Sequence, residues 1–329
     1  MRALNFIDVC AGAGGLSQGF IDCGFEPLLL NDSDKTCCET LRRNHGGADV
    51  FCGRMQDIDL SRYTDVDVLM GGVPCQPFSS SGKREGMADE RGQLLLHFGA
   101  MVSTLEPKVF LIENVRGLVT HDKGRTLESV ISALDKNDKY NITYQVLNAN
   151  DYGVPQRRER LIIVGVHQKR QTGLSFSFPE KHECKPVLKD VLVGCPESPG
   201  QQYNGEKYDI MAGVPEGGCW VDVPQEVQKR YMGSTYYASG GKRGTLKRLR
   251  MDRPCPTLLT SPSLRQTERC HPWHTRPLQT LEYARIQTFP DTYRFAGSTT
   301  QIYRQIGNAV PVNMARAIAT EVKVVLSEV

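Results

Sequence analysis

Residues 6–15 read Phe6-Ile7-Asp8-Val9-Cys10-Ala11-Gly12-Ala13-Gly14-Gly15, a short apolar run that breaks into glycines. The run has the length and composition of a buried strand. The glycines permit a tight turn and a close approach of backbone to ligand. An amphipathic stretch at 16–23 follows, so the segment is expected to be strand, turn and helix. The spacing falls short of a full G-x-G-x-x-G, and taken alone it serves equally as a structural turn.

Outward from this unit the same alternation continues. Strands are expected at 4–9, 27–31, 66–71, 109–113, 143–147 and 161–166, with helices at 16–23, 35–43, 93–105 and 126–134. That pattern predicts an α/β fold with a mostly parallel sheet, whose ligands bind at the carboxyl ends of the strands. After about residue 168 the texture changes. Positions 171–277 are rich in Pro, Gly, Ser and Thr and carry no strong period. Helical spacing returns at 278–288 and 312–326. The expected division is therefore a main domain over 1–170 plus 278–329, with 171–277 inserted as a smaller, loop-rich unit.

The 329 residues include 40 Lys+Arg against 37 Asp+Glu, a formal net charge of +3, with 40% hydrophobic residues. This is the composition of an ordinary folded chain with length enough for a large core. No stretch approaches eighteen uncharged apolar residues, which argues against a membrane helix. The first residues show no signal-peptide pattern, so a cytoplasmic protein is expected. Eleven cysteines occur without a C-x-x-C pair, so reduced thiols are expected, and neither a disulfide framework nor a metal site.

Four further segments carry candidate chemistry. Asn31-Asp32-Ser33-Asp34 places a carboxylate at a strand end, where it would hold a ribose hydroxyl pair or cap a helix. Gly71-Gly72-Val73-Pro74-Cys75-Gln76-Pro77-Phe78-Ser79 puts a cysteine between prolines just after a strand. A thiol becomes a nucleophile where positive charge or oriented N–H groups favour the thiolate, and is otherwise a packing residue. Glu113-Asn114-Val115 brings a carboxyl to another strand end, as an acid or as a salt-bridging group. In Gln156-Arg157-Arg158-Glu159-Arg160, strand alternation points Arg158 and Arg160 to one face.

In this order the segments resemble the cytosine-C5 DNA methyltransferases that use S-adenosylmethionine. The resemblance rests on FIDVCAGAGG, GGVPCQPFS, ENV, QRRER, RPLQTLEYARIQTFP and QIYRQIGNAVPVN, which run from residue 6 to 313. It implies a Rossmann-like catalytic domain with an inserted target-recognition domain. It implies that Cys75 adds to C6 of a cytosine, making C5 electron-rich. Glu113 would contact N3, Arg158 would sit near O2, and Arg160 would support the site. The base must leave the stack, at a cost of a few kcal/mol. The cofactor would be held by Ala11, Gly12, Gly14, Gly15, Asp32, Ser33, Met55, Pro74, Leu94, Asn308 and Val310. Ser79, Ser81, Lys83 and Arg84, in a segment like the family's mobile catalytic loop, would meet the DNA.

Three positions depart from the family pattern, all at the adenosine end. Cys10 stands where an aromatic residue is usual. Asp32-Ser33 replaces Glu followed by a bulky apolar residue. Gly53-Arg54 replaces glycine followed by Asp, unless Asp57-Ile58 takes that place. Between positions 229 and 253 there are eight basic residues and one acidic residue, Asp252, with tyrosines interleaved, as suits a backbone clamp or a solvated face. Arg243, Arg248, Arg265 and Gln266 are candidate base readers or phosphate contacts.

The expected partner is double-stranded DNA. A cognate restriction endonuclease would act on the same site without forming a required complex, and the chain would work as a monomer in a bacterial or virus-infected cell. Three alternatives remain at this point. A transfer-RNA methyltransferase of the same family would usually carry a Cys-Phe-Thr element, absent here. A catalytically silent DNA-binding protein would not need Cys75 and Glu113. A dinucleotide oxidoreductase would explain the glycine turn but not the Pro-Cys-Gln or Glu-Asn-Val segments.

Overall fold

A computed structural model describes residues 2–74, 90–170, 174–237 and 243–327, the side chains of 90–92 excepted. Seven strands form one sheet: β1 (Asn5–Val9), β2 (Glu26–Asp32), β3 (Asp49–Cys52), β4 (Val68–Gly71), β5 (Val109–Val115), β6 (Tyr140–Asn148) and β8 (Glu159–His167). Their order is β3-β2-β1-β4-β5-β8-β6. The pairs among β3, β2, β1, β4 and β5 are parallel, and β8 runs antiparallel to both neighbours. The mostly parallel α/β sheet expected from the alternation is the observed one. The strand order reverses between β1 and β4, so the loops after these strands diverge and leave a crevice.

Successive residues of β1 serve opposite faces. Phe6 joins the cluster of Leu16, Phe20, Met314 and Ile318, contributed by α1 (Gly15–Asp22) and α9 (Val312–Ser327). Ile7 and Val9 join Phe98, Val102, Leu127 and Val130, from α3 (Glu90–Leu105) and α4 (Arg125–Leu134). Both faces are thus covered by helices, as a parallel sheet requires. The C-terminal helix α9 packs on α1, so the chain does return to its first unit. A Cβ on Gly15 would lie 2.1 Å from the Val310 carbonyl oxygen, so this glycine sets how closely the first helix meets the returning chain.

Two elements that shape the main sheet and its cavity escaped the sequence reading. Strand β3 is only four residues long, with no fully buried position. Helix α8 (Thr299–Asn308) begins with a capping box in which Ser298 accepts the Gln301 N–H. The Ser-x-x-Gln spacing is its sequence signature. Helix α2 (Lys35–Asn44) is capped by Asp34, which accepts from Thr36 and Cys37. The box at the start of α7 (Thr280–Ile286) joins Gln279 and Glu282.

Beyond β8 the chain is loop-rich with short helices, among them α5 (Glu206–Ala212) and α6 (Gln225–Met232). A small core of Tyr203, Met211, Trp220, Met232, Leu246 and Cys270 holds this region together. A second cluster joins Leu188, Leu249, Cys255 and Leu258 to Leu278, Tyr283, Tyr303 and Val312. A two-residue ribbon, β7 (Gln156–Arg157) beside β9 (Cys255–Pro256), ties the late region to the approach to β8. Among the described residues no helix is long and apolar enough to cross a membrane.

Candidate active site

A cavity of about 870 Å³ opens along the carboxyl edge of the sheet. The turn after β1, the ends of β2 and β5, the segments after β3 and β4, and the start of β8 all reach it. Residues 258–260 and 307–310 close the far side. Its position follows from the topology: antiparallel β8 begins where parallel β5 ends, which brings Arg158 and Arg160 to the same edge as Glu113.

At one end the Arg160 Nε lies 2.7 Å from Glu113 Oε1, with both side chains mostly buried at 15% and 12% exposure. Asn114 donates from Nδ2 to the Val73 carbonyl at 3.0 Å, and its Oδ1 accepts the Val115 N–H at 2.8 Å. The side chain next to Glu113 therefore fixes the segment that leads into Pro74. Glu113 is held by a cation and its neighbour by the backbone, so little ordering is left for a ligand to bring about.

The two arginines behave differently from expectation. Arg158 does not stand beside Glu113 as a free donor. It is 1% exposed, and its guanidinium donates to the carbonyls of Leu258 (3.1 Å), Gly307 (3.0 Å) and Asn308 (3.4 Å). Burial, with nearby Arg160 adding to it, lowers its pKa to about 9. Both arginines reach the cavity wall, but Arg160 is the one with its charge on Glu113. Alternation correctly put them on one face; it gave no measure of depth. Gln156 extends the clasp: its Oε1 accepts the Leu258 N–H and its Nε2 donates to Gln287, which donates on to the carbonyls of Ile306 and Ala309.

At the other end Asp32 accepts the Gly12 N–H at 2.9 Å and the Asp34 N–H at 2.8 Å. Capping of α2 belongs to Asp34, so Asp32 faces the cavity. Burial raises the Asp32 pKa. Asp8 is fully buried at the cavity floor; Ser17 donates to its Oδ2 at 2.5 Å, while Oδ1 has no partner. Burial, partly offset by Ser17, pushes its pKa up to about 7. The Cys10 thiol is likewise pushed up to about 12, first by burial and then by Asp32, and it rests 4.0 Å from the Met55 sulfur. Cys10 holds φ +54° without being glycine, a strained backbone at the cavity wall.

Of the residues expected at the cofactor, Ala11, Gly12, Asp32, Ser33, Met55, Pro74, Leu94, Asn308 and Val310 line this cavity. Gly14 and Gly15 do not. Gly14 has φ +78° and packs against Leu41 and Tyr293, and Gly15 packs on Val310. Their role is to let the turn fit under the returning chain, where the Tyr293 hydroxyl donates to the Ala13 carbonyl at 2.6 Å. Arg54 and Met55 line the cavity, whereas Asp57 and Ile58 do not, so the alternative alignment has no counterpart at the site. Cys75, Ser79, Ser81, Lys83 and Arg84 lie outside the described residues.

The sequence reading missed the wall made by α8, where Arg304 reaches Asp34 at 2.6 Å and Gln305 is buried against Thr40. The unread capping box that starts this helix was the available signal. Among the candidate base readers, Arg248 is buried and donates to the carbonyls of Met211, Val214, His271 and His274. It braces the loops. Arg265 is exposed, donates to the Tyr231 carbonyl and lies over its ring.

Comparison with known proteins supplies a family. The model for C-5 cytosine-specific DNA methylases matches residues 4–324. The chain is 45% identical over 320 residues to the Type II methyltransferase M.Sau96I of Staphylococcus aureus, covering 95% of this chain and 74% of that one. It is 44% identical over 331 residues to M.Eco47II of Escherichia coli, with 98% and 79% covered. Among solved structures, a prophage-encoded Escherichia coli chain superposes with a TM-score of 0.72 at 25% identity, over 99% of this chain and 100% of that one. The Entamoeba histolytica methyltransferase EhMeth shares the fold with a TM-score of 0.71 at 15% identity, over 100% of both chains.

Proposed function

The chain belongs to the C-5 cytosine-specific DNA methylase family, and on that premise we propose how its cavity divides the work of methylating DNA. The enzyme is an S-adenosylmethionine-dependent cytosine-C5 methyltransferase. In our reading the cofactor occupies the end between β1 and β2, and a cytosine rotated out of the duplex occupies the end at Glu113 and Arg160.

The residues present fit the cofactor. A cavity of about 870 Å³ falls within the usual range for ligand sites. The orphaned Asp8 oxygen at its floor would complement a positively charged ligand, and Asp32 offers a carboxylate to a ribose. Gly12, with φ +58° and no atom within 4 Å of a built Cβ, leaves the turn open to close approach. When bound, S-adenosylmethionine supplies an electrophilic methyl group.

The chain's own residues activate the base. The Cys75 thiolate adds to C6, and the ring electrons move toward N3 and O2, leaving C5 nucleophilic. Glu113 hydrogen-bonds the N3 side, and Arg160 stabilises charge developing on the ring oxygen while it holds Glu113 in place. After methylation the C5 proton passes to water, the C5–H electrons re-form the C5=C6 bond, and the Cys75 thiolate is expelled. Arg158, whose two terminal nitrogens are engaged by three carbonyls, acts through the position of Leu258 and Asn308. The observation that carries this reading is the buried 2.7 Å pair of Arg160 and Glu113 at the strand edge.

Similarity to bacterial Type II methyltransferases supports a role in restriction–modification, and the proposal has the chain work in the cytoplasm as a monomer beside an endonuclease that reads the same site. Residues 171–277 would supply most of the DNA-reading surface. The test is methyl transfer from labelled S-adenosylmethionine to unmethylated genomic DNA, with transfer RNA in competition and each methyl group mapped at base resolution. Label on cytosine C5 in one recurring context, lost in Cys75→Ser, is the expected result. Label on RNA alone, or DNA binding without transfer, would contradict it.

A further inference from the structure

A second cleft, of about 580 Å³, lies beside the first and is lined by Arg157, Arg253, Pro254, Pro256 and Thr257. It occupies the outer side of the ribbon formed by β7 and β9, where Arg157 pairs in register with Pro256. The neighbouring residues Arg158 and Leu258 line the catalytic cavity, so a single step along either strand leads from one cavity to the other. Alternation buries Arg158 and turns Arg157 outward.

The two arginines of this cleft have no direct ion-pair partner among the described residues. Glu159, two residues from Arg157, is paired with Arg116 at 2.7 Å. Asp252, beside Arg253, is held by both ends of the Arg250 guanidinium at 2.8 and 2.7 Å. Among the described residues neither Arg157 nor Arg253 has a carboxylate within ion-pair distance, and both are exposed. Other basic residues of the 229–253 stretch are engaged: Arg230 with Glu206, Arg248 in its carbonyl cage, Lys247 on the Gly217 carbonyl. The cleft is also stiff. Pro254 confines Arg253 to extended backbone, and the Thr257 hydroxyl donates to the Arg157 carbonyl at 2.8 Å.

We propose that Arg157 and Arg253 together seat one backbone phosphate of the DNA, next to the nucleotide that enters the catalytic cavity. The proposal rests on the DNA-methylating reading above. Two guanidinium groups suit a phosphodiester, whose anionic oxygens accept paired N–H bonds. One contact from each side of the ribbon would fix the duplex relative to β7 and β9 together, the junction that Arg158 clasps from within.

The test is the salt dependence of binding a short mixed-sequence duplex, followed by fluorescence anisotropy for wild type, Arg157→Gln, Arg253→Gln and the double variant. Each phosphate neutralised contributes about 0.9 to the slope of log affinity against log salt. Either single substitution should lower the slope by about that amount, and the double variant no further, because both groups serve one phosphate. Arg157→Lys should keep most of the wild-type slope. Unchanged melting temperature and cofactor affinity would show that the variants remain folded.

Wild-type slopes in both single variants would overturn the proposal. So would a double variant that loses twice as much as either single one, which would mean two separate phosphates. A slope change confined to an RNA duplex would overturn it as well. Failure of the wild type itself to bind DNA would instead strike the reading on which the proposal rests.

Discussion

The two ends of the catalytic cavity are built on opposite principles. At the end proposed for the base most polar groups have partners: Glu113 has Arg160, Asn114 has the Val73 carbonyl, and Arg158 has three carbonyls, its buried Nε alone lacking one. At the cofactor end Asp8 keeps an unpartnered oxygen, Asp32 is held by N–H groups with its pKa raised, and Cys10 sits in strained backbone. In the proposed mechanism the base is caught while it is out of the helix, so preorganised groups lower the cost of ordering at that moment. On the same proposal the other end leaves charge uncompensated because a cationic ligand would complete it.

The comparison breaks most severely if Glu113 proves dispensable. Glu113→Gln keeps the shape but loses the carboxylate, and kcat per folded molecule should fall by about 10²–10⁴-fold, beyond any stability lost with the ion pair. Single-turnover methyl transfer measures it. Next in size is Arg158→Met, which leaves three carbonyls without their donor. It should destabilise the fold by about 3–5 kcal/mol, read from chemical denaturation.

Asp8→Asn sharpens the other half. Unfolded, the Asp8 carboxyl titrates near 3.8; folded, it titrates at about 7. Between those values the folded chain carries the extra proton, so the Asp8 contribution to stability falls as pH rises and levels off above the folded value. The variant should therefore gain on wild type across that window, by at most about 4 kcal/mol at about 1.36 kcal/mol per pH unit. Thermal melts must be read as the difference between the two proteins. His45 and His271, both lowered to about 4 by burial, lose stability as pH falls through the same range. The smallest effect belongs to Cys10→Phe. A ring restored beside the adenosine should tighten cofactor binding by about 0.5–1.5 kcal/mol in calorimetry, and an unchanged or weaker affinity would contradict that.

How far the sequence disclosed this arrangement varied with the kind of signal. The six expected strands are found, five of them as largely buried apolar runs and β6 as an edge strand with exposed positions such as Tyr144. Strand β3 is short and half-covered, so it left no comparable run. Periodicity showed which face a side chain takes but not how deep it lies. That is why alternation put Arg158 and Arg160 on one face without showing that Arg158 is buried in a cage of carbonyls, and why Arg248 looked like a reader of bases. Gly14 and Gly15 were read as cofactor residues because a glycine turn has the same sequence whether a ligand or a neighbouring helix presses against it. Only the Val310 carbonyl and the Tyr293 ring, nearly three hundred residues away, decide between the two. The clefts around the β7 and β9 ribbon depend on a pairing of residues a hundred positions apart, which no local pattern announces.

The central claim is that Arg160 serves the base while Arg158 serves the framework. Single-turnover methyl transfer by Arg160→Met and Arg158→Met, each measured beside its own unfolding curve, tests it most directly. The account predicts that Arg160→Met, although it loses some stability by leaving Glu113 unpaired, transfers methyl groups at least about a hundredfold more slowly per folded molecule. It predicts that Arg158→Met loses stability first, with a rate per folded molecule much closer to wild type. A fast Arg160→Met, or a stable Arg158→Met that cannot transfer, would contradict it.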